Sequence, residues 1–354
     1  MNVVVALVPV LLLLALLQLM DTFKLVRLTS VAVALVAGAI AAFLCLTLHD
    51  AIVARTGIDP TVFARYVAPL TEEIAKAAFI VVLLWRNRVG FLVDAAVQGF
   101  AVGTGFALVE NDDYLRYLGD ANLTLWLVRG LGTAVLHAAT TAVFAMVSKT
   151  MADRRGDHGA LAFLPGLGLA AGIHAAFNHV PLPPLAMTAL LLIVLPLVVV
   201  LVFQRSEHAT RDWVGAGLDL DLELLELVRS EHFAFTRFGQ YLKELRARFS
   251  GPVVADMFCL LRLELELSIQ AKAMLLAREA GLEVPVTDDL YTSLQEIGYL
   301  QASIGRAGLL ALKPLQVTSS RDQWHQYLLA AAGANARLTR AASERLKPRA
   351  GPTR

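Results

Sequence analysis

Residues 1–204 alternate between long apolar runs and short charged breaks. Seven runs are long enough to cross a bilayer, at about 2–20, 29–48, 67–85, 91–110, 124–147, 159–179 and 185–204. The breaks alternate in charge. Lys24, Arg27, Arg86, Arg88, Lys149, Arg154 and Arg155 fall on one side, and Arg55, Arg65 and Arg116 on the other. Basic loops stay cytoplasmic, so the pattern predicts an N-terminus outside and a C-terminus inside. Arg205 and Arg211, just past the last run, agree. The opening "MNVVVALVPVLLLLALLQLM" has no basic residues before its apolar core, so it reads as an uncleaved first span.

Beyond residue 204 charge returns and the spacing turns helical. "LDLDLELLELVRSEHFAFTRFGQYLKELRARF" begins as alternation and settles to helical spacing. Ser250, Gly251 and Pro252 open a helix through Glu279, with Gly281 after its end. Thr287, Asp288 and Asp289 cap another through about Leu312, and Ser319, Ser320 and Asp322 start a last one. The expected fold is all-α: a polytopic membrane helix bundle of about seven spans with a C-terminal cytoplasmic helical domain. The expected divisions are 1–204, 205–345 and a disordered basic tail at 346–354.

Composition narrows the function classes. The chain is 57% hydrophobic and 17% charged, where a soluble domain carries about 25% charged residues. A formal net charge of +1 gives no footprint for nucleic acid. Cys45 and Cys259 lie in different halves, which argues against a disulfide framework. The C-terminal domain has no catalytic cluster, so it reads as a regulatory or interaction domain for a cytoplasmic partner.

Polar residues inside the spans are the informative departure. In "APLTEEIAKAAFI", Glu72, Glu73 and Lys76 sit at the head of a span. Each buried charge costs about 2.5–3.5 kcal/mol on an insertion scale, so such residues point to function. With the predicted topology, "GFALVEND" puts Glu110 and Asn111 at the same outer level, and "GIHAAFNHV" adds His174, Asn178 and His179. "RGLGTAVLHAATTAV" carries His137 slightly deeper. Four constellations from four spans thus meet in the outer half of the membrane. Glu72 and Lys76, four apart, are expected to pair. His174 and Asn178 are expected to aim at one spot. Asn111 and His179, at the interface, read as structural. Asp94 and Gln98 are expected to face water or a neighbouring helix, and Arg129 to snorkel or pair with an outer acid. Gly99 with Gly103, and Gly168 with Gly172, read as close helix contacts.

No HExxH, no exposed GxSxG serine and no facing pair of intramembrane aspartates occurs. Carboxylate and histidine chemistry remains. A carboxylate can act as base on water, with histidines stabilising charge and an amide donating to an oxyanion. Glutamate and histidine can equally hold Zn²⁺ with one position open to water. Intramembrane acids and histidines also make proton relays, so a proton-coupled transporter or channel is the alternative. Against it, no inverted repeat is evident.

The ordered set "EEIAK", "FALVEN", "LHAATTAVFA" and "HAAFNH", one piece per span over about residues 60–180, resembles the PrsW family of bacterial intramembrane proteases. These are distant relatives of the CAAX-processing membrane endopeptidases. The resemblance implies a transmembrane peptidase domain in a bacterial cytoplasmic membrane, cleaving membrane-anchored protein substrates. Its best-known role is cleavage of an anti-sigma factor in stress signalling. It implies Glu72 and Glu73 as essential acids, completed by Glu110, His137 and His174. Either a glutamate-type or a metal mechanism fits. The expected roles are Glu72 or Glu73 as base on water, with His137 and His174 binding a metal or stabilising the oxyanion, and Asn178 as an amide donor. Glu110, His137 and His174 are the expected metal ligands.

Overall fold

The computed structural model describes residues 2–21, 26–118, 123–155, 159–179, 182–282, 288–315 and 329. Every regular element among them is helical. The chain divides into two compact units, Met1–Ala209 and Thr210–Arg354.

A helix stands at each of the seven predicted spans: α1 (Asn2–Met20), α2 (Leu28–Thr56), α3 (Ala68–Trp85), α4 (Leu92–Leu118), α5 (Ala134–Arg155), α6 (Ala160–Asn178) and α7 (Pro184–Arg229). Among the described residues four helical stretches, Leu28–Thr56, Leu92–Arg116, Leu123–Arg155 and Ala160–Asn178, are long and apolar enough to cross a membrane. Shorter apolar stretches occupy Leu7–Met20 and Pro184–Val194. The ends of these helices follow local chemistry. Gly57 terminates α2 at φ 62°, where its N–H reaches Val53 O. Asp59 then accepts from the Thr61 and Val62 amides and caps a short turn. In the first turn of α4, Asp94 accepts from the Gly90 and Phe91 amides at 2.9 and 3.1 Å.

Helix α4 is the inner element, 83% buried along its apolar window against 33% for α2 and 28% for α6. Small residues let it approach its neighbours. A methyl group on Gly103 would overlap the His137 carbonyl oxygen, and one on Gly99 would meet the backbone at Thr141 and Ala142. Gly38 of α2 and Gly105 of α4 make the same kind of backbone contact with Val102 and Leu35. A methyl group on Gly168 or Gly172 would meet nothing within 4 Å among the described residues, so the close contact expected there is not formed. Gly166 packs on Phe144 and Ser148 instead. Gly103→Val is expected to move the backbone that carries His137 and to lose activity. Overpacking of this kind costs about 1–3 kcal/mol. Thermal unfolding in detergent, read beside cleavage, checks it.

Two π-helical turns interrupt the regular ladder, Phe63–Val67 before α3 and Leu127–Thr133 before α5. Such turns leave carbonyls without their usual partners. Both lie at the end of the bundle that carries the polar residues.

The last predicted span continues past residue 204 as helix, and the division between the two units falls at Ala209 and Thr210. Helix α7 runs unbroken for 46 residues to Arg229. Gly215 and Gly217 do not interrupt it, and no proline follows Pro196 within it. In the second unit, α8 (Arg237–Leu245) starts where Thr236 Oγ1 accepts from the Gly239 amide. Next come α9 (Gly251–Glu279), bounded by Pro252 and Gly281 as predicted, and α10 (Asp288–Leu312). Gly305, at φ 69°, kinks α10. Lys272 on α9 donates to Asp221 Oδ2 at 2.6 Å and to Gly217 O at 2.9 Å, a buried polar tie between α9 and α7. The predicted cap residue Thr287, the helix from Ser319 and the tail 346–354 lie outside the described residues.

Candidate active site

Helices α3, α4, α5 and α6 bring their polar residues together at one end of the first unit. Glu72 and Glu73 are 8% and 2% exposed, His137 1% and His174 2%. The His137 and His174 rings meet edge to face, with centroids 4.9 Å apart. Burial among apolar helices makes an unmade hydrogen bond costly at each of these groups.

Two carboxylates fix the two imidazoles. Glu110 Oε2 pairs with His137 Nε2 at 2.5 Å, and Glu73 Oε1 pairs with His174 Nδ1 at 2.9 Å. With each carboxylate accepting an N–H, the lone pairs fall on His137 Nδ1 and His174 Nε2. Both lone-pair atoms face the same oxygen. Glu72 Oε2 is 3.9 Å from His137 Nδ1 and 3.8 Å from His174 Nε2, and it has no hydrogen-bond partner among the described residues.

Lys76 departs from its expected pairing. Its ammonium bonds Glu73 Oε1 at 2.6 Å, three residues back, and not Glu72. It also approaches His137 Nδ1 at 3.0 Å and lies 4.6 Å from the Phe106 ring centroid. Glu73 needs this cation more than Glu72 does, because it is enclosed by α5 and α6. Thr140 Oγ1 donates to the same Glu73 oxygen at 3.0 Å.

Arg129 pairs with an acid, one of its two expected arrangements. Its Nη2 donates to Glu110 Oε1 at 3.0 Å, and its guanidinium stacks 3.6 Å from the Tyr114 centroid. Asn178 donates to Ala64 O in the first π-helical turn at 2.9 Å, so it does not join His174 at the donor group. Asn111 donates to Gly130 O in the second such turn. His179 bonds Ala175 O and stays apart from the centre. Asp94 and Gln98 are buried at the other end of α4, where Gln98 reaches Ser30 of α2.

A cavity of about 420 Å³ opens beside the centre. Glu72, Glu110, His137, His174 and Asn178 line it, whereas Glu73 stands behind them. Three residues missed in the sequence also line it or support its wall. His49 of α2 lines the cavity and bonds Thr71 Oγ1 at 2.8 Å; Cys45 lines it one turn earlier. A lone histidine in the second span was the available signal. Thr140, three residues after His137, shares its face and was legible from helical spacing alone.

A family model described as "PrsW family intramembrane metalloprotease" matches residues 26–203. The chain belongs to that family. No curated protein and no solved structure matches it. PrsW membership makes the chain a multi-pass membrane peptidase and removes the transporter alternative.

The PrsW centre fits the metal that the family name implies. Glu72, His137 and His174 each offer one donor atom, and the three lie within 4.8 Å of one another. Two imidazole nitrogens and an unpartnered carboxylate oxygen are a zinc-type donor set, although the Lys76 ammonium, 3.0 Å from His137 Nδ1, would have to give up that lone pair to the ion. Glu73 and Glu110 hold the outer N–H of each imidazole, the usual carboxylate–histidine support of such a site. Glu72 therefore stands in this group where Glu110 was expected, because Glu110 is already committed to His137 Nε2 and Arg129.

Proposed function

We propose that this PrsW-family peptidase hydrolyses peptide bonds of membrane-anchored proteins at the outer face of a bacterial cytoplasmic membrane. Three donor atoms from three helices within 4.8 Å, on a cavity wall, carry the proposal. Glu72, His137 and His174 would hold the metal, and Glu73 and Glu110 orient the histidines. The ion would supply polarisation of the scissile carbonyl and acidification of water. Glu72 and Glu110 both line the cavity, but both Glu110 oxygens are taken by Arg129 and His137, so Glu72, through the oxygen it does not give to the metal, takes the proton of the attacking water and returns it to the leaving amine. Glu110 keeps the Nε2 proton of His137 in place, and Glu73 keeps the Nδ1 proton of His174. Asn178 has a second N–H beyond the one given to Ala64, and offers it to the developing oxyanion. Buried apolar walls exclude bulk water, which strengthens each of these contacts.

The basic-loop pattern supports an N-terminus outside and a cytoplasmic second unit. That unit is the candidate for regulation by a cytoplasmic partner, and stress signalling is the family role it suits.

Labelling of new N-termini in membranes tests this. Cells making the wild-type chain yield new termini within single-span proteins near the outer face, and cells making Glu72→Gln do not. Identical termini in both, with equal protein levels, defeat the proposal.

A further inference from the structure

A second space of about 430 Å³ lies between α2 and α4. Its walls are aliphatic and aromatic: Val36, Ala39 and Phe43 on α2, Leu108 and Val109 on α4. Val36 and Phe43 are 59% and 61% exposed, so the groove opens on the surface that the bilayer covers. Its floor is rigid. Gly38 and Gly105 bring the two helix backbones into direct contact, so the helices have no slack to close over it. Toward the catalytic end, Leu46 and Asp113 line both this groove and the active-site cavity. The groove therefore adjoins the active-site cavity at Leu46 and Asp113.

Charge at its upper end selects an occupant. Arg116 is bound by Asp112 at 2.6 Å, whereas Asp113 has no ion-pair partner among the described residues. A carboxylate at that junction repels a lipid phosphate and attracts a basic side chain. We propose that the α2–α4 groove seats the transmembrane helix of the substrate, with a Lys or Arg just beyond its apolar run held by Asp113. The inference rests on the peptidase reading. Ala39, between Val36 and Phe43 in the groove lining, leaves room for one face of a helix, and the basic residue sets the register that delivers the adjoining peptide to Glu72.

The test uses the full chain in vesicles of phosphatidylcholine and phosphatidylglycerol. Benzoylphenylalanine replaces Phe43, Ala39 or, as a lipid-facing control, Leu12, which is 64% exposed on α1. The probe is a synthetic leucine–alanine peptide of about 20 apolar residues flanked by lysine, with a glutamate-flanked version beside it. Photolabelling at positions 43 and 39 is expected to saturate and to be competed by unlabelled peptide, while position 12 labels weakly without saturation. Asp113→Asn is expected to weaken the lysine-flanked peptide about fivefold, the scale of one partly screened ion pair, and to bind the glutamate-flanked peptide no more weakly than the wild type does. Equal labelling at 12 and 43, adducts with phospholipid alone, or indifference to Asp113→Asn would overturn the groove. Zinc content of the same samples separates the two readings. Zinc present without peptide docking overturns the groove alone, and docking without zinc overturns the metal centre alone.

Discussion

Glu72→Gln leaves an inserted, folded protein that cleaves about 10³-fold more slowly. The amide keeps the shape of the carboxylate and removes its charge. Glu72 Oε2 has no hydrogen-bond partner among the described residues, so the fold loses no bond in the exchange. The centre loses a donor, and the cavity loses the carboxylate that is not tied to Arg129 and His137. Metal affinity falls in step. Glu110→Gln provides the contrast, because Glu110 supports His137 through Nε2 and lies outside the donor group. It lowers metal affinity about 10–100-fold, as removal of an outer carboxylate does elsewhere. Calorimetry with zinc and cleavage assays on both variants check the order of effects. Equal metal affinity in wild type and Glu72→Gln would remove Glu72 from the site.

Lys76→Met produces the largest loss of stability. Lys76 and Glu73 are 0% and 1% exposed in their side chains and 2.6 Å apart. Removing the cation leaves a carboxylate sealed among helices α3, α5 and α6. His174 and Thr140 still donate to it, but neither supplies a full opposite charge. Breaking one partner of a buried pair costs about 3–5 kcal/mol, while replacing both by neutral groups is often close to neutral. Lys76→Met is therefore expected to unfold readily in detergent, and Lys76→Met combined with Glu73→Gln to regain most of the lost stability. A single variant as stable as wild type would show that Glu73 does not depend on Lys76.

Much of this architecture was legible because a bilayer constrains sequence so strongly. Apolar runs of about 20 residues have few folds open to them, and each became a helix. The approach of Glu72, His137 and His174 was also legible in part, since topology put Glu72 and His174 at one level and His137 slightly deeper in the same half of the membrane. The finer pairing was not. On α3, Lys76 can reach back three residues or four, and the choice of Glu73 is made by Thr140 and His174 on other helices. Glu110 looked like a ligand because glutamate binds zinc, but Arg129 and His137 claim both of its oxygens. Arg129 reaches it from a π-helical turn, which arises from packing and leaves no spacing signature. Asn178 was read with His174 from their four-residue spacing, yet the carbonyl freed at Ala64 draws it aside. Gly168 and Gly172 repeat the small-residue spacing of Gly99 and Gly103, but no described helix packs on them.

Metal analysis joined to X-ray absorption on the purified chain tests the central claim most directly. It is expected to find one zinc ion per chain, ligated by two imidazoles and oxygen, with both occupancy and cleavage lost in His137→Ala and on chelation. Full cleavage by metal-free protein would contradict it, as would sulfur at the metal from Cys45, which lines the same cavity.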